Sequence, residues 1–276
     1  MRRRELLPLV LLVGIAGFIV VQGRQMGRER ATRRPPRLQP QGSVADTTAA
    51  VAGSAGASTS AVAIPPAAAN DQEPVELRPS GVPAPIRDDA VVRDQIRDNA
   101  SGTYILNILQ QQQQLLMRWP DRRADGLRVW IERESSLPDW TPSYTVMAER
   151  AFDEWQQAGF PIRFDMVTHP VDADITIRWV RQLDARRIGV TSMSRDQSGW
   201  LVNAEISIAL HDADGTALTP ELVAGVARHE VGHALGLGHS GNRTDVMFPE
   251  STTPVISDTD RATLHLLYTL PPGLVR

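Results

Sequence analysis

The sequence predicts an α+β domain, a mixed twisted sheet of about five strands with three main helices, preceded by a membrane segment and a disordered linker. Three observations predict it. One alternating apolar stretch precedes the first strong helical stripe, several more separate that stripe from the next, and Thr-Pro, Thr-Pro and Ser-x-x-Asp mark the three helix starts. That order of strands and helices implies a mixed sheet with helices packed on it.

The 276 residues allow one ordinary domain with appendages, and 42% hydrophobic content is enough for a core. Cysteine is absent, so neither a disulfide nor a lipidated N-terminal cysteine can form. The net charge of -3 hides an asymmetry, because residues 1–40 are strongly basic and the remainder is acidic. An acidic domain, with its basic residues gathered beside an apolar run, argues against nucleic acid as a partner.

Residues 1–38 hold a basic N-terminus and a signal anchor. Arg2, Arg3 and Arg4 precede an apolar run over residues 6–21, broken only by Pro8, Gly14 and Gly17. As a helix it reaches about 24 Å, short of the roughly 30 Å hydrocarbon core, which fits a thin anchor or a signal peptide. No small-x-small cleavage site follows the run, and Arg24, Arg28 and Arg30 come directly after it, so an uncleaved anchor is the reading adopted. Residues 39–85 are rich in Ala, Ser, Thr, Gly and Pro and read as a tether too poor in apolar surface to fold. Residues 86–119 form a helical arm: Val92, Ile96, Tyr104, Ile105, Ile108, Leu109, Leu115 and Leu116 suggest helical pieces broken near Gly102. Such an arm either covers the cleft as a prosegment or docking arm, or packs against the back of the domain or helps two chains associate, and the second is the commoner outcome.

The domain proper spans residues 120–276. Residues 127–131 alternate as a half-buried strand, and Thr141-Pro142 opens a helix whose stripe is Tyr144, Met147, Ala148, Ala151, Phe152 and Trp155, ending at Gly159. Residues 162–167, 173–179, 189–194 and 204–210 read as further strands. Thr219-Pro220 starts a second helix, and Ser257 with Asp260 forms the capping box of a third, through Leu264, Leu267 and Tyr268.

The chemistry lies at the end of the second helix. His229, Glu230, His233, Gly236 and His239 stand at the spacing HExxHxxGxxH, and Met247 follows eight residues later. Positions i and i+4 share a helix face, so His229 and His233 can offer two imidazoles to one ion. Gly236 can take the left-handed conformation that ends the helix and brings His239 round as a third ligand. Three neutral imidazoles leave a zinc ion one open position, the catalytic pattern, whereas structural sites are usually closed by four protein ligands. Zinc lowers the pKa of a bound water to about 7, and Glu230 can take its proton as it attacks a polarised carbonyl. Five fixed letters recur by chance in about three of ten million windows, which sets aside the bland reading of isolated histidines.

Over roughly residues 127–268 the sequence resembles the metzincins, and among them the matrixins, through HExxHxxGxxH, Ser240 after the third histidine, Asp245-Val-Met-Phe-Pro249, AFDEW and ADITI. The resemblance implies a zincin-like fold, a Met-turn in which Met247 supports the metal site, and a wall begun by Phe248 and Pro249 for the residue after the scissile bond. It also implies that residues 189–194 are an edge strand above the cleft. Val190, Thr191 and Ser192 would there bind substrate backbone, since an edge strand offers unpaired N–H and C=O groups to an extended peptide. The sequence departs from the animal matrix metalloproteases in lacking a prosegment cysteine and, until His211, the histidines of a second zinc. Asp212 and Asp214 beside Gly215 could hold calcium, although a solvated turn is the commoner use of such a loop. His169 and His265 read as structural or exposed.

The function so predicted is that of a zinc-dependent endopeptidase with Glu230 as base, acting on protein or peptide substrates. It is membrane-anchored through residues 6–21 with an extracytoplasmic catalytic domain, or secreted if the N-terminal segment is cleaved. A literal count of flanking arginines would instead place the domain in the cytoplasm. The alternative is a membrane-tethered binding or adhesion protein that keeps zinc without catalysis. Glu230 argues against it, because zinc binding alone does not require that carboxylate.

Overall fold

A computed structural model describes residues 73–121, 125–250 and 253–276. The apolar run over 6–21, and most of the 39–85 linker, lie outside the described residues. Among the described residues, no helix is long and apolar enough to cross a membrane. Backbone contacts divide the chain into residues 1–58 and 59–276, and everything described here belongs to the second unit.

The elements run β1 (Glu76–Leu77), α1 (Asp89–Asn99), α2 (Ile105–Gln111), β2 (Leu115–Leu116), β3 (Leu127–Ile131), α3 (Pro142–Gln157) and β4 (Phe164–Met166). They continue with β5 (Ile175–Val180), β6 (Gly189–Arg195), β7 (Leu201–Ala209), α4 (Pro220–Ala234), α5 (Asp258–Thr269) and β8 (Gly273–Leu274). One sheet has the order β1-β6-β7-β5-β3-β4. Strands β4, β3, β5 and β7 run parallel, while β6 is antiparallel to β7 and carries β1 parallel on its outer side. The fold is therefore the expected α+β arrangement: a mixed sheet, five of whose strands come from the predicted domain, with α3, α4 and α5 as its main helices.

Alternation explains which face each strand buries. Leu127, Val129 and Ile131 of β3 and Ala204, Ile206 and Ile208 of β7 are buried, and they meet the stripes of α3 (Phe152, Trp155) and α4 (Val223, Ala227, Val231) in one core. The helix starts behave as their sequences require. Thr219 Oγ1 accepts the Leu222 N–H, and Ser257 and Asp260 complete a reciprocal capping box. Thr141 precedes α3 in the same way, but its hydroxyl lies 2.5 Å from Ser143 Oγ and does not cap the helix backbone.

Two expectations need correction. Leu115 and Leu116 are not helical: Gln113 and Gln114 take positive φ and end α2, after which β2 pairs antiparallel with β8. The linker read over 39–85 is no free tether from Glu73 onward, because β1 lies along β6, Glu73 pairs with Arg187 at 2.8 Å, and Trp200 Nε1 donates to Pro83 O. Its composition could not reveal this, since the attachment relies on backbone groups and an ion pair, with Val75 alone of residues 73–85 packed against the core.

The arm packs against the domain. Val92, Ile96, Ile105, Ile108 and Trp119 share the common core, and Gly102, at φ 74°, makes the break between α1 and α2. Trp119 Nε1 donates to Ala234 O and Tyr268 OH to Leu235 O, which satisfies carbonyls left open at the end of α4.

Candidate metal centre

Helix α4 carries His229 and His233 one turn apart, with ring centroids 4.7 Å from each other. Leu235 closes the helix, and Gly236 at φ 96° reverses the chain; a Cβ there would also meet Met117 O at 2.4 Å. The reversal places His239 Nε2 3.2 Å from His233 Nε2. Ligand atoms of His229, His233 and His239 all lie within 4.8 Å of one another, and among the described residues this is the one group of three metal-ligating side chains found.

Second partners orient the rings. His229 Nδ1 lies 2.7 Å from Val246 O and His233 Nδ1 2.9 Å from Leu237 O. A carbonyl only accepts, so Nδ1 carries the hydrogen in both rings and Nε2 keeps its lone pair. Burial pushes the His229 imidazole down. Burial and the two neighbouring rings push His233 well down, and burial with His229 nearby pushes His239 down to about 3. All three are thus neutral at pH 7, as ligands must be.

These residues fit a metal ion. His229 Nε2 is buried without a hydrogen-bond partner, a state that costs about 1–3 kcal/mol unless an electrophile relieves it. The 3.2 Å between His233 and His239 Nε2 matches the roughly 3.3 Å that two bonds of about 2.05 Å subtend at the tetrahedral angle. Three nitrogen donors and no cysteine suit zinc with an open position.

Around the ligands, packing is tight at Gly232, where a Cβ would meet Met247 Sδ at 2.3 Å and Trp155 Cζ2 at 2.9 Å. The glycine inside HEVGH is what lets the buried Met247 rest against the zinc helix. The Met-turn is itself held by Asp260, the N3 residue of α5. Its Oδ2 accepts the Val246 and Ser257 N–H groups at 2.8 and 3.0 Å, and its Oδ1 accepts the Tyr104 hydroxyl at 3.1 Å and the Met247 N–H at 3.4 Å. Glu230, 2% exposed, receives a hydrogen bond from Thr191 Oγ1 at 2.6 Å.

The remaining predicted residues fall as follows. Val190 and Thr191 are buried, Ser192 is half-buried, and among the described residues all three pair with β7 alone, since β1 reaches only Ser194 and Arg195. Phe248 and Pro249 are half-buried beyond the Met-turn, with the Arg243 guanidinium 5.2 Å from the Phe248 ring. His169 and His265 are exposed, and His211 Nε2 lies 2.9 Å from Asp139 Oδ2. Asp212 Oδ1 accepts the Asp214 and Thr216 N–H groups and so closes its own turn.

Sequence reasoning missed Gln111. Its amide donates to His239 O at 2.9 Å and accepts the His239 N–H at 2.8 Å, clamping the backbone of the third ligand from the arm. Gly238 leaves room for it, because a Cβ there would meet Gln111 Oε1 at 2.6 Å. Within a run of five glutamines nothing distinguishes this one, and its partner is 128 residues away.

The fold and this histidine triad define a zinc metalloendopeptidase. Residues 135–269 match the matrixin family model, and this domain is a matrixin-like zinc metalloprotease. No curated protein matches the chain. Strand β3 and the whole arm, Gln111 included, precede the matched segment.

Proposed function

We propose that the protein cleaves peptide bonds in extended segments laid along β6, with Glu230 as general base. The observation that carries this reading is a buried carboxylate next to two buried, neutral imidazoles on one helix, with a third brought to them by the turn at Gly236. Zinc held by His229, His233 and His239 would supply Lewis-acid chemistry, polarising a carbonyl and acidifying water. Glu230 takes a proton from the attacking water and returns it to the departing amine. The backbone of residues 190–192 aligns the substrate strand, and Phe248 and Pro249 begin the wall for the residue after the scissile bond. Met247 supports the histidines from behind and does not touch substrate. The carboxylates at Asp212 and Asp214 are assigned no calcium ion.

The purified full chain is expected to hold about one zinc per chain and to cleave casein or a peptide library, with cleavage lost on chelation and restored by zinc. A folded, zinc-loaded protein that cleaves no member of the library would instead support a binding or adhesion protein. For location, the apolar run over 6–21 supports an anchor with the peptidase domain outside the cytoplasm. Protease added to intact cells should then digest the domain, and complete protection would reverse the orientation.

A further inference from the structure

We propose that Thr191 is a positioning residue that holds the Glu230 carboxylate in place from strand β6, so that one strand both aligns substrate and aims the base. The inference rests on the reading of Glu230 as general base and deepens it.

The geometry is specific to the hydroxyl. Thr191 is fully buried, and its Oγ1 lies 2.6 Å from Glu230 Oε2 and 3.1 Å from Glu230 O. The hydroxyl has one hydrogen. If it pointed at the carbonyl, two acceptor oxygens would face each other at 2.6 Å, so it is donated to the carboxylate, at the length of a charge-assisted O–H···O⁻ bond. Two residues earlier on the same strand, Gly189 completes the cradle, since a Cβ there would come within 2.3 Å of Glu230 Oε1 and 2.8 Å of its Cδ. Alternate residues of a strand share a face, so Gly189 and Thr191 together present a gap and a donor to one carboxylate. Pairing of Thr191 with Ile206, within the antiparallel β6–β7 ladder, fixes where that donor stands.

The strand thus has two sides of use. The bare Cα of Gly189 and the side chain of Thr191 face α4, while the backbone of 190–192 is free of strand partners on its outer side among the described residues. A general base must be held within hydrogen-bond reach of the proton that it removes, and small displacements are costly. Losing the hydroxyl should leave ligands and fold intact and let the carboxylate wander.

The test compares Thr191→Val, which keeps shape and loses the hydroxyl, with Thr191→Ser, which keeps the hydroxyl and loses a methyl. In the zinc-loaded full chain, kcat of Thr191→Val is expected to fall about 10- to 100-fold, the scale of one hydrogen bond to a charged group, with KM and zinc content unchanged. Thr191→Ser should stay within about threefold of the parent. In the metal-free protein, the 13C signal of the Glu230 side-chain carboxylate, assigned by its loss in Glu230→Gln, should move in Thr191→Val and not in Thr191→Ser. A merely structural threonine gives the reverse order, with Ser the worse variant through its cavity and Tm falling in step with kcat. That result, or a Val variant with the parent's kcat and carboxylate signal, overturns the proposal. Should Thr191→Val fail to fold, Thr191→Cys, a weaker donor, must lower kcat with KM unchanged, and parental kcat in that variant also overturns it. Parental kcat in Thr191→Val beside an inactive Glu230→Gln refutes Thr191 alone. An active, chelator-sensitive Glu230→Gln refutes the base and this role with it.

Discussion

Replacing Glu230 by glutamine is expected to leave a folded, zinc-binding protein whose kcat is lower by about 10²–10⁴, the usual contribution of a general base. Glutamine has nearly the same volume, so the space between Gly189 and Thr191 remains filled, and Thr191 Oγ1 can still donate to the amide oxygen. The three imidazoles, and the Val246 and Leu237 carbonyls that hold Nδ1 of His229 and His233, are untouched, which predicts an unchanged metal content. What is lost is the ability to accept a proton at that point. Zinc analysis beside steady-state hydrolysis of a peptide separates the two effects. A Glu230→Gln or Glu230→Ala protein with undiminished, chelator-sensitive activity would falsify the assigned base.

The second large effect is on stability. Asp260→Ala is expected to cost roughly 3–5 kcal/mol, because it strands several buried donors at once, each worth about 1–3 kcal/mol when unsatisfied and not fully additive. Those donors are the buried Val246 and Met247 N–H groups and the Tyr104 hydroxyl, joined by the half-buried Ser257 N–H, and the residue itself is fully buried. Against a typical total of about 5–15 kcal/mol, such a loss brings a large part of the chain near unfolding. Because Val246 O holds His229 Nδ1, loosening this turn should also weaken zinc binding. Urea unfolding with and without zinc measures both. A midpoint within about 0.5 kcal/mol of the parent, the scale of an ordinary surface change, would mean that Asp260 does not hold the Met-turn.

The same residue shows how legibility divides. Its part in a capping box is a spacing of three residues and was readable from Ser257-Asp-Thr-Asp260. Its grip on the Met-turn and on Tyr104, 156 residues earlier, was not. Likewise, Thr191 was identified as a strand residue above the cleft, yet only the packing of α4 against β6 turns its hydroxyl toward Glu230. The alternation in residues 189–194 specifies a strand. It does not say which helix residue that strand will face.

By itself, the sequence determined the zinc triad, the candidate base, the starts of α4 and α5, the break at Gly102 and the α+β class. Each is written in spacings of two to four residues, in the chemistry of a cap or in the conformational freedom of one glycine, and these act over a single turn or strand. Tertiary structure alone decided that Gln111 clamps His239, that β1 lies on β6, that β2 finds β8, and that Thr191 meets Glu230. Those contacts join residues distant along the chain through single hydrogen bonds or short backbone pairings, and such contacts leave no periodic trace in sequence because only the assembled core sets which groups come within reach.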